Sequence, residues 1–126
     1  MNCNFRIVLA VATGAVIGGA VVQGLHAQTK PKAYIVTESE IVDAAAAAVY
    51  GPRNQAAQKA AGGTSFRTTG KVTAVVGTAP VRAGLSEWSN VDAAQAWIAS
   101  QGRKELSAER DKAIKITRQY IVEAAN

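Results

Sequence analysis

The chain has 126 residues, which is enough for one domain and too few for two. Apolar residues make up 48% of it and aromatic residues only 6%, so the core must be built largely from small and branched side chains, and pairing with a second copy would bury more apolar surface. The formal net charge of +5 is spread along the chain, without the basic stripe and interleaved aromatics of nucleic-acid-binding proteins, which excludes nucleic acid as a partner.

The first 27 residues have the layout of a secretory signal peptide. Met1–Arg6 is short and positively charged, Ile7–Val22 runs for sixteen residues without a charge, and small and polar residues lead to Ala27. The apolar run is shorter than the ~20 residues that span a bilayer. Two interpretations stay open: cleavage after Ala27, which gives a periplasmic or secreted protein, and retention of residues 7–22 as an anchor helix, the only membrane contact we expect. Residues 28–32 form a linker.

Two residue types are missing from the mature chain. From Gln28 onward there is no cysteine and no histidine, which excludes disulfides, thiolate nucleophiles, a Ser-His-Asp triad and histidine-ligated haem. The sequence also has no Asp-rich calcium loop and no glycine-rich phosphate loop. We therefore expect no metal and no cofactor, so any catalysis would use carboxylates, tyrosines, hydroxyls or cationic side chains.

The first predicted strand and helix follow the linker. Ala33–Ile41 is rich in β-branched residues and predicts a strand. Asp43 suits a helix N-cap, and the alanine run after it predicts a helix that packs into the core. The Gly-Pro pair at 51–52 predicts a kink or a new helix start, and the glycine pair at 62–63 predicts the helix end.

The second half of the chain predicts three strands, two helices and a last strand. A cap at Ser89 or Asn90 opens the first of these helices, and Gly102 separates the two. The predicted elements are strands at Thr64–Thr68, Lys71–Gly77 and Val81–Ser89, helices from Asn90 to about Ser100 and at Arg103–Lys112, and a strand at Lys115–Ala124.

This order of elements indicates an α+β fold over residues 33–126. With a right-handed crossover it is the ferredoxin-like arrangement, in which helices pack on one face of an antiparallel sheet. The other face of the sheet also needs cover, so we expect a homodimer.

The second predicted helix and its surroundings resemble the Domain of Unknown Function 1330 family. The resemblance rests on the segment SNVDAAQAW at 89–97, the Glu-Trp pair before it, and matches further along the chain at Ser100, Leu106, Arg110, Ala113, Tyr34 and Tyr50. It implies the dimeric α/β-barrel superfamily, in which two ferredoxin-like protomers pack sheet against sheet and whose members include cofactor-independent monooxygenases and isomerases. The family supplies no established catalytic residues. Arg103 stands where an aromatic residue is usual, which implies a different pocket wall.

Glu38, Glu87 and Arg118 are the candidate catalytic residues. We expect strand one and the strand that ends at Trp88 to be parallel neighbours, which brings Glu38 and Glu87 to one end of the sheet, beside Arg118 at the start of the last strand. A carboxylate partly buried among apolar strands has a raised pKa, which suits a general base. The alternative is an ordinary ion pair at the sheet edge.

Aromatic side chains are the candidate ligand-binding residues. Tyr50, Phe66, Trp88 and Trp97 are predicted either to line a pocket or to fill the core. Tyr34 and Tyr120 are predicted either to donate hydrogen bonds to a ligand or to be structural.

The sequence leaves two hypotheses about function. One is an exported protein that binds a small organic molecule, with a cofactor-independent oxygenase or isomerase as its catalytic form and Glu38 or Glu87 as base. The other is a non-catalytic dimerisation or interaction module of the cell envelope. A cavity beside these carboxylates favours the enzyme, whereas a filled core favours the interaction module.

Overall fold

A computed structural model of the chain describes residues 29–125. The signal peptide or anchor expected at residues 1–27 lies outside the described residues. None of the helices within 29–125 has the length and apolar character needed to cross a bilayer. The α+β prediction is confirmed, with these elements in the described range: β1 (Ala33–Ile41), α1 (Ala44–Ala60), β2 (Thr64–Ser65), β3 (Arg82–Trp88), α2 (Val91–Ala99), α3 (Gln101–Glu105), α4 (Ser107–Ala113) and β4 (Ile114–Glu123).

The strands form one antiparallel sheet in the order β2-β3-β1-β4. The central strand β1 pairs with β3 on one side and with β4 on the other. A bulge in β4 lies at Thr117, because Glu38 is opposite Arg118 whereas Ser39 is opposite Ile116. Side chains alternate between the two faces of a sheet, so each face has its own set of cross-strand neighbours.

The core lies between α2 and one end of the sheet. The Trp88 side chain is 1% exposed and stacks on Trp97, with ring centroids 5.9 Å apart and planes inclined by 19°. The indole Nε1 of Trp88 donates to Ser86 Oγ at 3.0 Å, which satisfies its buried N–H. Seven hydrophobic residues are buried in the described range, and three of them are alanines, which agrees with the thin core expected from composition: Ala33, Ile35, Trp88, Ala94, Trp97, Leu106 and Ala113.

Helix α1 begins as predicted and is longer than predicted. The Asp43 side chain accepts from Ala46 N at 2.8 Å as the N-cap, and Gly62 follows the helix end with a φ of 92°. The predicted restart at the Gly-Pro pair was wrong, since one helix runs through Pro52, and the kink that was the alternative there stays a prediction. Proline has no backbone N–H, so the carbonyl of Ala48 lacks its usual helical donor. Both residues are exposed, so water can donate to this carbonyl instead.

The prediction that α1 packs into the core is confirmed only at Ala57, which is partly buried against the core cluster. No residue of α1 is buried, and its main neighbours are α4 and β2 rather than the central strands. Apart from Tyr50, the residues of α1 that line the space beneath the helix, among them Ala47, Gly51 and Asn54, are too small or too polar to fill it.

The helices after β3 are divided at Ser100 rather than at Gly102. The Asn90 side chain caps α2 by accepting from Ala93 N at 2.9 Å, as predicted. Ser100 Oγ accepts from Arg103 N at 3.2 Å and caps α3, which places Gly102 inside that helix. The side-chain cap therefore decides this boundary.

The strand predicted at Lys71–Gly77 was wrong, and β2 is shorter than predicted. Of that segment only Lys71 pairs, in an isolated bridge with Arg82, and Val75 and Val76 are 94% and 93% exposed. β-branched residues favour a strand only where a neighbouring strand and a packing surface exist. β2 pairs only with Ser86 and Glu87 of β3, and after the bridge at Lys71 no further residue of this segment pairs with the sheet.

The sheet face turned away from the helices is the open face, which we define by three cross-strand rows. These rows are Glu87–Tyr34–Val122, Leu85–Val36–Tyr120 and Ala83–Glu38–Arg118. Leu85, Tyr120 and Val122 are each about two-fifths exposed. Large apolar side chains therefore lie next to one another on a surface that no helix covers.

We predict that Gly63→Ala destabilises the fold. A Cβ at Gly63 would lie 2.5 Å from Cζ2 of the buried Trp88 ring, and that ring is held in place by its stack on Trp97. Overpacking of this kind costs about 1–3 kcal/mol, so the urea midpoint should fall. Gly102→Ala is the control, since a Cβ there meets nothing within 4 Å. Equal midpoints for the two variants would contradict the prediction.

Candidate functional site

A cavity of about 250 Å³ lies between α1 and the helix-covered face of the sheet. We call it the α1 cavity. Small residues create it from both sides: Ala47 and Gly51 on α1, and Gly84 on β3, where a Cβ would meet nothing within 4 Å. Its size is slightly below the ~300–1,000 Å³ of pockets for drug-sized ligands, so it suits a small molecule.

One wall of the α1 cavity is a chain of hydrogen-bonded polar side chains. Arg103 Nη2 donates to Gln119 Oε1 at 2.7 Å, and Gln119 Nε2 donates to Thr37 Oγ1 at 2.8 Å. Arg103 Nη1 also donates to the carbonyl oxygen of Ile98 at 3.2 Å. These contacts fix the orientation of the guanidinium and the amide, which is the preorganisation that a binding site requires.

The opposite wall is partly aromatic. Tyr50, Phe66 and Trp97 line the α1 cavity, together with the buried Ile35. Burial raises the pKa of the Tyr50 hydroxyl, although the charges of Arg110 and Arg103 act in the opposite direction. The phenol therefore stays protonated at neutral pH and keeps a hydrogen bond to donate.

A wider groove of about 450 Å³ adjoins the cavity on its outer side. Arg103 and Gln119 line both spaces, so their side chains form the boundary between them. The groove adds Arg110, Asp111 and Lys115. Arg110 Nε donates to Asp111 Oδ1 at 2.9 Å, so the acid of the groove is already paired.

The predicted ligand-binding residues are divided between three places. Tyr50 and Trp97 line the α1 cavity. Trp88 lies in the core beneath Trp97 and is almost completely buried. Tyr34 and Tyr120 lie on the open face, where they are opposite Val122 and Val36. The structure therefore brings together two of the five.

Glu38 and Arg118 are in contact, as predicted, but the expected pKa direction was wrong. Arg118 donates to both carboxylate oxygens of Glu38, from Nε at 2.9 Å and from Nη2 at 2.8 Å. These charge-assisted hydrogen bonds lower the pKa of Glu38 even though the residue is only 8% exposed and its desolvation acts in the opposite direction. A carboxylate held in this way is a weak general base.

The predicted convergence of Glu87 with Glu38 was wrong. The strands β1 and β3 are antiparallel, so Glu87 is opposite Tyr34 at the other end of the sheet. There Lys32 Nζ donates to Glu87 Oε1 at 2.8 Å and lowers the pKa of that carboxyl. The parallel pairing that we expected does not occur. The crossover through α1 leads into β2, which runs in the same direction as β1, and β3 then turns back to pair antiparallel with β2 and with β1.

Sequence reasoning marked Arg103 only as a difference in a pocket wall, and it missed four other polar residues of the cavity, Thr37, Gln58, Ser65 and Gln119. A signal for two of them was present. Thr37 is two residues from Ile35, and Gln119 is two residues from Ile121, so strand alternation places a hydroxyl and an amide on the helix-covered face. Polar groups at such positions indicate a polar network or a site.

Residues 29–125 contain no cluster of three or more metal-ligating side chains. The α1 cavity is lined by no aspartate or glutamate of the described chain. Its chemistry therefore comes from hydroxyls, amides, a phenol and two arginines, Arg82 and Arg103. Such groups bind and orient a polar ligand by hydrogen bonding.

Comparison with known proteins gives a family and a fold. A family model described as "Domain of unknown function (DUF1330)" matches residues 32–125. The crystal structure of RPA0582, a protein of unknown function from Rhodopseudomonas palustris, is similar with a TM-score of 0.60 and 13% identity over 86% of this chain and 93% of that one. The methylated RPA0582 protein gives a TM-score of 0.59 and 13% identity over 86% and 91%. Among curated proteins none matches this chain.

We predict that Glu38→Gln lowers the stability of the fold in a pH-dependent manner. Because the pKa of Glu38 is lowered in the folded state, its ion pair contributes fully above the ordinary glutamate pKa of about 4.3 and is lost as the pH falls through the folded value. The difference in urea midpoint between wild type and Glu38→Gln should therefore be largest at neutral pH and should disappear at acidic pH.

Glu40→Gln is the matched control for this measurement. Glu40 lies two residues along the same strand, on the same face, and is exposed. Its substitution should change the urea midpoint only slightly, and this small difference should not show the same decrease at acidic pH. A Glu38→Gln gap that stays constant from pH 7 to pH 3 would contradict the stabilising role of the pair.

Proposed function

This chain belongs to the DUF1330 family, and from the geometry of its described domain we propose that it binds a small organic molecule in the α1 cavity. The observation that carries the proposal is the cavity itself, which combines an aromatic wall with preorganised polar groups. Binding sites for small molecules have this mixed character. A core filled by bulky side chains would have favoured a structural role instead.

Binding rather than turnover is the function that we propose. Glu38 and Glu87, the bases that an oxygenase or isomerase mechanism would use, belong to the open face, whereas the cavity lies on the other side of the sheet. Both carboxylates also have lowered pKa values because each is paired with a cation. A general base needs contact with the ligand and a pKa near the working pH.

We also propose a ferredoxin-like homodimer of the dimeric α/β-barrel type, in which the open face of one protomer packs on that of its partner. The exposed side chains of Leu85, Tyr120 and Val122 support this pairing. The small number of buried hydrophobic residues in the described domain supports it as well, since a thin core gains stability from further burial. This face is equally what a dimerisation or interaction module of the cell envelope would use.

Export is part of the proposal. The basic, apolar and small-residue order of residues 1–27 supports either a periplasmic or secreted protein cut after Ala27 or a protein anchored by residues 7–22. In both cases the domain meets ligands outside the cytoplasm.

We predict that Gly84→Val strongly weakens binding in the α1 cavity. A Cβ at this position would have no atom within 4 Å, so there is space on the cavity side for a side chain to occupy, and valine favours the strand. Native mass spectrometry of the domain purified from the cell envelope should show extra mass on the wild type and at least about tenfold less on Gly84→Val.

Gly102→Ala, outside the cavity and equally free of neighbours, should keep the extra mass. Wild-type protein without a ligand, or a ligand retained in full by Gly84→Val, would overturn the proposed cavity.

We predict that Val122→Arg weakens the homodimer by at least about tenfold in dissociation constant. The substitution would place an unpaired charge from each protomer in the interface, and a buried charge without a partner costs several kcal/mol. Sedimentation equilibrium measures the change.

Val49→Arg is the control, because Val49 lies on α1, away from the open face, and is also exposed, at 60% against 46% for Val122. A dimer that withstands Val122→Arg, or a wild type that is monomeric, would rule out this interface.

A further inference from the structure

The charges around the α1 cavity have one dominant sign. The cavity itself is lined by Arg82 and Arg103 and by no carboxylate of the described residues. The adjoining groove adds the cations of Arg110 and Lys115 and one acid, Asp111, which is bound to Arg110. A concave surface with an excess of one sign raises the local concentration of ligands of the opposite sign.

Arg103 is the cation at the centre of this arrangement. Its hydrogen bonds go to Gln119 Oε1 and to the Ile98 carbonyl oxygen, which are both neutral acceptors. Five N–H groups belong to a guanidinium, and these two contacts occupy two of them. Among residues 29–125 no carboxylate lies within ion-pair distance of Arg103, whereas five other cations of the domain have one.

Partial burial makes this unpaired charge unfavourable. Desolvation lowers the pKa of the Arg103 guanidinium, and the nearby charge of Arg110 acts in the same direction. A partly desolvated cation is stabilised by an anion that accepts hydrogen bonds from its remaining N–H groups. The protein supplies no such anion within the described domain, so a ligand is the remaining source.

We propose that the ligand of the α1 cavity is a small organic acid whose carboxylate binds Arg103. This inference rests on the proposed binding function and adds the chemical class of the ligand. The carboxylate accepts from the free N–H groups of Arg103, since a planar fork of donors matches the two oxygens of a carboxylate.

The rest of the ligand is apolar and compact. The wall beyond Arg103 is formed by the ring of Trp97 and by Ile35 and Ile116, which suit an aromatic or branched aliphatic body. Tyr50, with its hydroxyl protonated, supplies a second donor on the α1 side. A volume of about 250 Å³ limits the ligand to a single ring or a short chain.

Benzoate and benzamide are the probes, because they share a ring and a shape and differ in charge. Isothermal titration with the purified domain should give at least about tenfold tighter binding of benzoate, as expected for a hydrogen-bonded charge pair that leaves water. Raising the salt concentration should weaken benzoate binding and leave benzamide unchanged.

Arg103→Gln should bind both probes with the weak affinity that benzamide has for the wild type. Arg103→Lys should recover part of the preference for benzoate, since it restores the charge without the fork of donors. Arg53→Gln is the matched control, because Arg53 pairs with Glu109 and lines neither the cavity nor the groove. It should keep the full preference. Urea midpoints of all three variants establish that they are folded.

Equal binding of benzoate and benzamide by the wild type, or no binding of either, would overturn the organic-acid inference. So would a preference for benzoate that survives in Arg103→Gln. The wider proposal is tested separately by the ligand that co-purifies with the domain: an uncharged molecule lost in Gly84→Val would leave the cavity as a binding site and remove only its assignment to acids.

Discussion

The stack of Trp88 on Trp97 is the contact on which the rest of the domain depends. Aromatic residues make up only 6% of the chain, and these two provide most of the bulk in the core. They fill the space between α2 and one end of the sheet, and Gly63 must be a glycine because the Trp88 ring passes so close to it. At the other end the residues that α1 presents are, apart from Tyr50, small or polar. A core with all its bulk at one end leaves a cavity at the other.

The alternation of side chains along β1 then separates two kinds of chemistry. Ile35 and Thr37 face the helices, and Thr37 joins the network that runs through Gln119 to Arg103. Glu38, one residue further, faces the opposite side, where Arg118 holds it as an ion pair. Consecutive residues of a strand point to opposite faces of the sheet. The ion pair of Glu38 and the cavity lined by Thr37 therefore lie on different surfaces although these two residues are adjacent in sequence. This separation is why we propose association through the open face and ligand binding on the helix-covered face.

Local signals in the sequence predicted the elements whose boundaries are set locally. Asp43 and Asn90 cap their helices through their own side chains, and such contacts need only three or four consecutive residues. The predictions failed where the outcome depends on distant neighbours. The segment Lys71–Gly77 has strand propensity and no strand to pair with beyond its first residue. Glu87 was assigned to the wrong end of the sheet because the direction of β3 relative to β1 follows from the topology and not from any local pattern.

The candidate site was the least predictable part, and Arg103 shows why. Its position on a short helix gives no indication of a ligand, and it differs from its solvated neighbours only through what surrounds it in the fold. Gln119 comes from β4, Thr37 from β1 and Tyr50 from α1, so the elements that surround the guanidinium are far apart in the chain. The resemblance to a family in which an aromatic residue is usual at this position marked Arg103 as a difference without giving it a role. The role that we propose for it follows from a balance of charge: the domain pairs five of its cations with carboxylates, whereas the half-buried Arg103 faces a cavity without one. Which charges have partners depends on the folded domain as a whole, so no local pattern in the sequence can indicate such a site.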